Sequence, residues 1–156
     1  MFLRILNKLR RESYKLFRPI LWGRSLQING IPTIGNIKRL ELGYDVSLNS
    51  DCYIQCVGGG KIDNCVTISH GVKILTSGLD TSDYPNKCIC KNREHIQAPV
   101  HIGEGVWLCA GSMVMPGVTI APKIIVAAGS VVTKNLDREG WLYAGIPAKP
   151  IKSFLK

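Results

Sequence analysis

A six-residue period runs from Ile96 to Lys134 and narrows the folds open to this chain. Aliphatic residues recur at Ile96, Ile102, Leu108, Val114, Ile120, Val126 and Val132. Four places after each of the first six stands a small or β-branched residue: Val100, Val106, Ser112, Val118, Ile124 and Ser130. A helix repeats its apolar residues every three to four positions and a half-buried strand every two, and neither matches. A period of six predicts short strands stacked into a β-helix. The opener and fifth residue of each hexad face a narrow core, and the others face outward or turn the chain. One hexad cannot bury its own apolar side chains, so only the stack is stable. Glycines such as Gly103, Gly111 and Gly129 are expected at the bends.

The register extends backward. Ile28 and Ile34 precede a two-residue insertion, followed by Leu42, Leu48 and Ile54. A second insertion holds Gly58, Gly59 and Gly60, and the period resumes at Ile62, Ile68 and Ile74. Roughly fifteen hexads would make about five turns. Between Leu75 and His95 the period breaks in a polar stretch of a length that is usually functional or disordered. It predicts an arm projecting from one corner. The expected organisation is an N-terminal segment 1–24, a β-helix over 25–134 with its projecting loop 75–95, and a C-terminal loop and tail 135–156. In the last segment Asn135 to Gly140 reads as a polar turn, Gly145 and Pro147 as a tight bend, and the residues from Pro150 as a short helix.

Residues 1–18 carry an amphipathic pattern. Phe2, Ile5, Leu6, Leu9, Leu16 and Phe17 share one helical face, opposite Arg4, Lys8, Arg11, Lys15 and Arg18. Pro19 limits the helix. Two roles stay open: covering an end of the solenoid, or peripheral contact with anionic lipid. The net charge of +9 is concentrated here, with seven basic residues and one acid between Met1 and Arg24. The rest is near balance, so no nucleic-acid partner is expected. The six cysteines come with no export signal or spanning run, which predicts free thiols in a cytoplasmic protein, on the inner face of the membrane where the helix touches lipid. Cys52 falls on an inward position. Cys88-Ile89-Cys90 has the wrong spacing for zinc, and no metal is expected.

Three stretches carry a family resemblance: VWLCAGSMVMPGVTI (106–120), VAAGSVVTKN (126–135) and AGIPAKPIK (144–152). In these the chain resembles the hexapeptide-repeat acyltransferases of the left-handed parallel β-helix class, and more narrowly the sugar O-acetyltransferase branch. The resemblance implies an all-β fold, a homotrimer, and acetyl-CoA as acyl donor in a groove between neighbouring solenoids. It implies contacts from Trp107, from Ala110, Gly111, Ala128, Gly129 and Ser130 along the coil edges, from Thr133 and Lys134 at the nucleotide end, and from Gly145, Pro147 and Lys149 in a closing loop. The two lysines would neutralise phosphate.

The resemblance also implies a histidine base in the arm, in a Thr-Gly-His-Asp or Thr-Gly-His-Pro setting. Here the matching residues are Ser77-Gly78-Leu79-Asp80, and leucine cannot carry a proton. His95, at the return end of the arm, is the first candidate to replace it, since a histidine titrates near working pH. His70, one rung below, is the second, and His101 immediately precedes an opener. Asp80 and Asp83 are candidates to bind sugar hydroxyls or orient the base. The implied activity is acetyl-CoA-dependent O-acetylation of a sugar in surface polysaccharide or glycan assembly, by direct transfer. Leu79 keeps open an alternative, a β-helix that binds CoA or a protein without turnover. A zinc-dependent reading would need the histidines to converge across a subunit boundary.

Overall fold

In a computed structural model the described residues are Ile5, Leu9, Ser13, 25–82, 84–87 and 93–155. The expected N-terminal helix lies outside them, save Ile5, Leu9 and Ser13, which are helical and exposed. Asp83 and the Cys88-Ile89-Cys90 stretch also lie outside.

The hexads fold as the period predicts, into a parallel coil of three faces. The first face stacks Gln27–Ile28, Ser47–Leu48, Thr67–Ile68, Trp107–Leu108, Ile125–Val126 and Trp141–Ala144. The second stacks Thr33–Gly35, Tyr53–Gln55, Lys73–Ile74, Met113–Val114 and Val131–Val132. The third stacks Leu40–Leu42, Gly60–Ile62, Val100–Ile102 and Thr119–Ile120. The chain visits the faces in that order, which defines a first corner (first to second face), a second corner (second to third) and a third corner. The openers Ile102, Leu108, Val114, Ile120, Val126 and Val132 are buried, and so are the fifth residues Val100, Val106, Ser112, Val118, Ile124 and Ser130. Cys52 lies among them. Full burial of a side chain such as Leu108 is worth about 1.5–3 kcal/mol.

The corners explain the rest of the period. Positive φ recurs every six residues at Gly105, Gly111, Gly117, Lys123 and Gly129. Glycine takes this left-handed turn without steric cost, whereas Lys123 holds φ 57° against roughly 1–2 kcal/mol of strain. Gly103 serves differently from the bend expected of it. A Cβ there would stand 2.7 Å from the Ile120 carbonyl oxygen of the next rung. Close approach, not dihedral freedom, requires that glycine.

Three departures from the periodic reading have physical causes. Ile96, the first opener, is 49% exposed. It belongs to an antiparallel pair, Ser77–Leu79 with His95–Gln97, which leaves the coil. Past Lys134 the hexads end but the ladder does not: buried Leu136 bridges Ile120, and Trp141–Ala144 continues the first face beyond the expected five turns. A ladder needs backbone partners more than a repeated side-chain pattern. The tail from Lys149 to Ser153 is a strand, not a helix. It pairs antiparallel with Trp141–Ala144 and covers the end of that sheet.

The third face turns charged side chains outward. Glu41, Lys61 and His101 are neighbours in register. Asp63 meets His101 Nε2 at 2.7 Å and Lys61 Nζ at 3.3 Å. Burial pushes the Asp63 carboxyl up, but His101 and Lys61 outweigh it and hold it below the usual carboxylate value. A depressed carboxyl adds stability above its unfolded pKa, and that stability is lost as pH falls through the folded value. We therefore expect Asp63→Asn to lower the melting temperature at neutral pH and to narrow the gap to wild type below about pH 4. Thermal melts of both proteins across that range check it. Among the described residues no helix is long and apolar enough to cross a membrane.

Candidate functional site

Apart from His101 on the third face, the residues named from sequence lie at or beside two corners. On the first corner four rungs are stitched by backbone bonds: Gly71 N–H to Ser50 O at 3.1 Å, Gly111 N–H to His70 O at 2.9 Å, and Gly129 N–H to Ala110 O at 2.9 Å. Ala110, Gly111, Ala128 and Gly129 are exposed there, a strip of backbone with almost no side chain over it. Trp107 flanks the strip from the first face. Its ring is exposed and its Nε1–H donates to Ser69 Oγ at 2.9 Å. Cys109 adjoins the strip, and burial raises its thiol, so it stays protonated and is a poor nucleophile.

The C-terminal bend extends this strip. Gly145 has φ 102° and its N–H donates to Ser130 Oγ at 3.1 Å. Its carbonyl accepts from Val131 N–H, and Ala148 N–H donates back to Val131 O. Ser130 is buried, and its hydroxyl docks the bend. The Ile146–Pro147 peptide is cis, and Lys149 is exposed at the start of the tail strand.

His70 also stands on the first corner, one rung below Ala110. Its Nδ1 lies 2.9 Å from Ser50 Oγ and 3.5 Å from Asp51 Oδ2, and its ring is largely exposed. Both contacts engage the ring through Nδ1.

The second corner carries the arm. Leu79 stands directly opposite His95, Gly78 opposite Ile96, and Ser77 opposite Gln97. Residues paired in this way project from the same side of the ribbon, about 4.5–5.5 Å apart at Cβ. His95 thus occupies nearly the place a histidine at position 79 would have, and both side chains are exposed. The Asp80 carboxylate accepts from Ser82 N–H at 2.8 Å and Ser82 O–H at 2.7 Å, which ties it into a local turn. Thr133 and Lys134 follow the last strand of the second face, also at this corner, and both are exposed. His101 is engaged by Asp63 on the third face. The three histidines therefore sit in three separate places. Among the described residues no three His, Cys, Asp or Glu side chains group as a metal site. The pairing of Leu79 with His95 was hidden in the sequence, because arm length alone does not give hairpin register.

Comparison with known proteins follows the same lines. The family model "Bacterial transferase hexapeptide (six repeats)" matches residues 99–134. A Staphylococcus aureus protein named as an acetyltransferase is 35% identical over 114 residues, 72% of this chain and 54% of its own length. Galactoside O-acetyltransferase of Escherichia coli is 34% identical over 92 residues, 58% of this chain and 45% of its own. The chain spans about half the length of these relatives. A hexapeptide-repeat acetyltransferase of Vibrio cholerae, solved with acetyl coenzyme A, superposes with a TM-score of 0.73 at 20% identity, over 94% of this chain and 79% of that one. The shared architecture is the all-β, left-handed parallel β-helix.

Proposed function

This chain is a member of the hexapeptide-repeat transferases, and we propose that it is an acetyl-CoA-dependent O-acetyltransferase acting on a sugar hydroxyl. The observation that carries the reading is the register of the arm, which sets His95 across from Leu79. His95 accepts the proton of the acceptor hydroxyl as that oxygen attacks the thioester carbonyl. The C–S bond breaks, and the proton passes to the departing thiolate. A positioned histidine is suited to both transfers at neutral pH.

The donor would lie along the first corner, where small residues let backbone amides reach a pantetheine chain. Trp107 would flank it, the bend at Gly145 and Pro147 would close over it, and Lys149 would face its phosphates, with Thr133 and Lys134 brought to them on the second corner of a neighbouring copy. The galactoside acetyltransferase and the Vibrio cholerae acetyl-CoA complex support donor and acceptor class by similarity. The two corners flank the second face, so one ligand on the first corner of a chain does not reach that chain's own arm. A second copy, bringing its arm to this corner, completes the site. Trp107, Ile125 and Leu142 on the first face, and Met113 and Val131 on the second, form outward apolar ladders that suit such packing in a homotrimer. If the basic, amphipathic residues 1–18 touch anionic lipid rather than cover an end of the solenoid, surface polysaccharide or glycan is the acceptor class that fits.

A second reading has its own observation. His70 is oriented by Ser50 and Asp51 on the donor corner, and would serve as base in place of His95. The deciding assay is transfer from labelled acetyl-CoA to a panel of free, nucleotide-linked and oligomeric sugars, with CoA affinity measured in parallel. Acetylated product is the expected result. CoA binding with no product on any sugar would support the non-catalytic alternative that Leu79 keeps open.

A further inference from the structure

The arm leaves the coil at a place where backbone donors lose their ladder partners, and one side chain replaces those partners. Pairing on the second face matches Tyr53 with Lys73 and Ile54 with Ile74, then stops. Leu75 N–H still reaches Val114 O at 2.9 Å. The next two amides, of Thr76 and Ser77, have turned out of the ladder. Gln55 Oε1 accepts from both, each at 3.0 Å. Thr76 is fully buried, and its hydroxyl donates to Gln55 O at 3.0 Å while accepting from Gly58 N–H at 2.9 Å. Ala98 N–H donates to Thr76 O at 3.0 Å, which closes the base of the arm. Gly58 is pressed against both roots: a Cβ there would stand 2.3 Å from Thr76 O and 2.8 Å from Ala98 N.

We infer that Gln55 is a positioning residue for the arm, its amide oxygen fixing the direction in which the hairpin bearing His95 leaves the coil. Ser77 N–H is tied to the rung below by this oxygen, and Ser77 pairs with Gln97 across the hairpin. A small rotation at Ser77 is magnified two residues later at Leu79 and across the ribbon at His95. A misplacement of about 1 Å at a reacting group costs on the order of 10²-fold in rate. Gln55 touches no candidate reacting atom, so it acts only through the hairpin.

The inference rests on the reading of His95 as base, and its test separates the two. Gln55→Met keeps the volume and removes the acceptor, whereas Gln55→Glu keeps the acceptor. Hydrogen exchange on the wild-type chain and both variants needs no acceptor sugar. Thr76 and Ser77 amides should exchange about tenfold faster in Gln55→Met, with Ile74 and Val114 unchanged and the melting temperature of the coil held. Gln55→Glu should restore protection. With whichever sugar of the panel is acetylated, kcat should fall about 10²-fold in Gln55→Met at unchanged CoA affinity, and recover in Gln55→Glu. Unchanged exchange and unchanged kcat in Gln55→Met overturn the inference, as does equal loss in both variants. If His95→Ala keeps full turnover, the base reading has failed, and the exchange result still decides whether Gln55 orders the arm.

Discussion

His95→Ala is expected to lower kcat for sugar acetylation by roughly 10²–10⁴-fold, the range a positioned general base supplies. CoA affinity should stay within about twofold, because on the proposed reading the backbone strip and the C-terminal bend hold the donor while His95 acts on the acceptor hydroxyl in the transition state. The hairpin register gives this prediction a complement. Leu79 and His95 face each other across one ribbon, so their side chains are near-equivalent platforms. Leu79→His placed in the His95→Ala background should therefore recover about a tenth or more of the lost rate. His70→Ala measured beside them separates the two candidate bases. A wild-type rate in His95→Ala together with loss in His70→Ala would move the base to the first corner, where Ser50 and Asp51 already hold that ring.

The coil was legible in the sequence because burial imposes its period directly. Every opener from Ile102 to Val132 and every fifth residue between them is in the core. Ile96 kept the period by coincidence of spacing, and only the antiparallel pairing with Gly78 reveals that it has left the core. Leu136 and Tyr143 are the reverse case. Both are buried at the end of the coil. Leu136 stands six after Ser130 in the fifth-residue series but is followed by no opener, and Tyr143 has no six-residue spacing, since the last turn is closed by the strand Lys149–Ser153 rather than by another hexad. For the candidate site, the small residues of the first corner were legible because a bend with a bare backbone demands them. The arm was not. Its direction depends on contacts between residues about twenty positions apart, such as Gln55 with Thr76, which follow no period. The division of the named residues between two corners was equally invisible, because a linear motif does not say which edge of a prism it occupies.

That division makes the first corner testable without any acceptor. Ala128→Tyr should weaken CoA binding about 100-fold, which is roughly 2.7 kcal/mol, and leave the melting temperature unchanged. Ala128 is exposed, and its backbone lies outside the positive-φ set that includes its neighbour Gly129. A tyrosine there is free of backbone strain and displaces no core side chain, but its ring covers the strip between the Ala110 and Gly145 rungs. Glu104→Tyr adds the same bulk one rung away on the third corner, where Glu104 is likewise exposed, and should leave affinity untouched. Titration calorimetry with CoA on the three proteins reads the difference. Loss in Ala128→Tyr alone assigns the donor to the first corner. Equal affinity in all three would send the donor to another edge of the coil, and the arm of a second copy would then have no reason to meet the Ala110 strip.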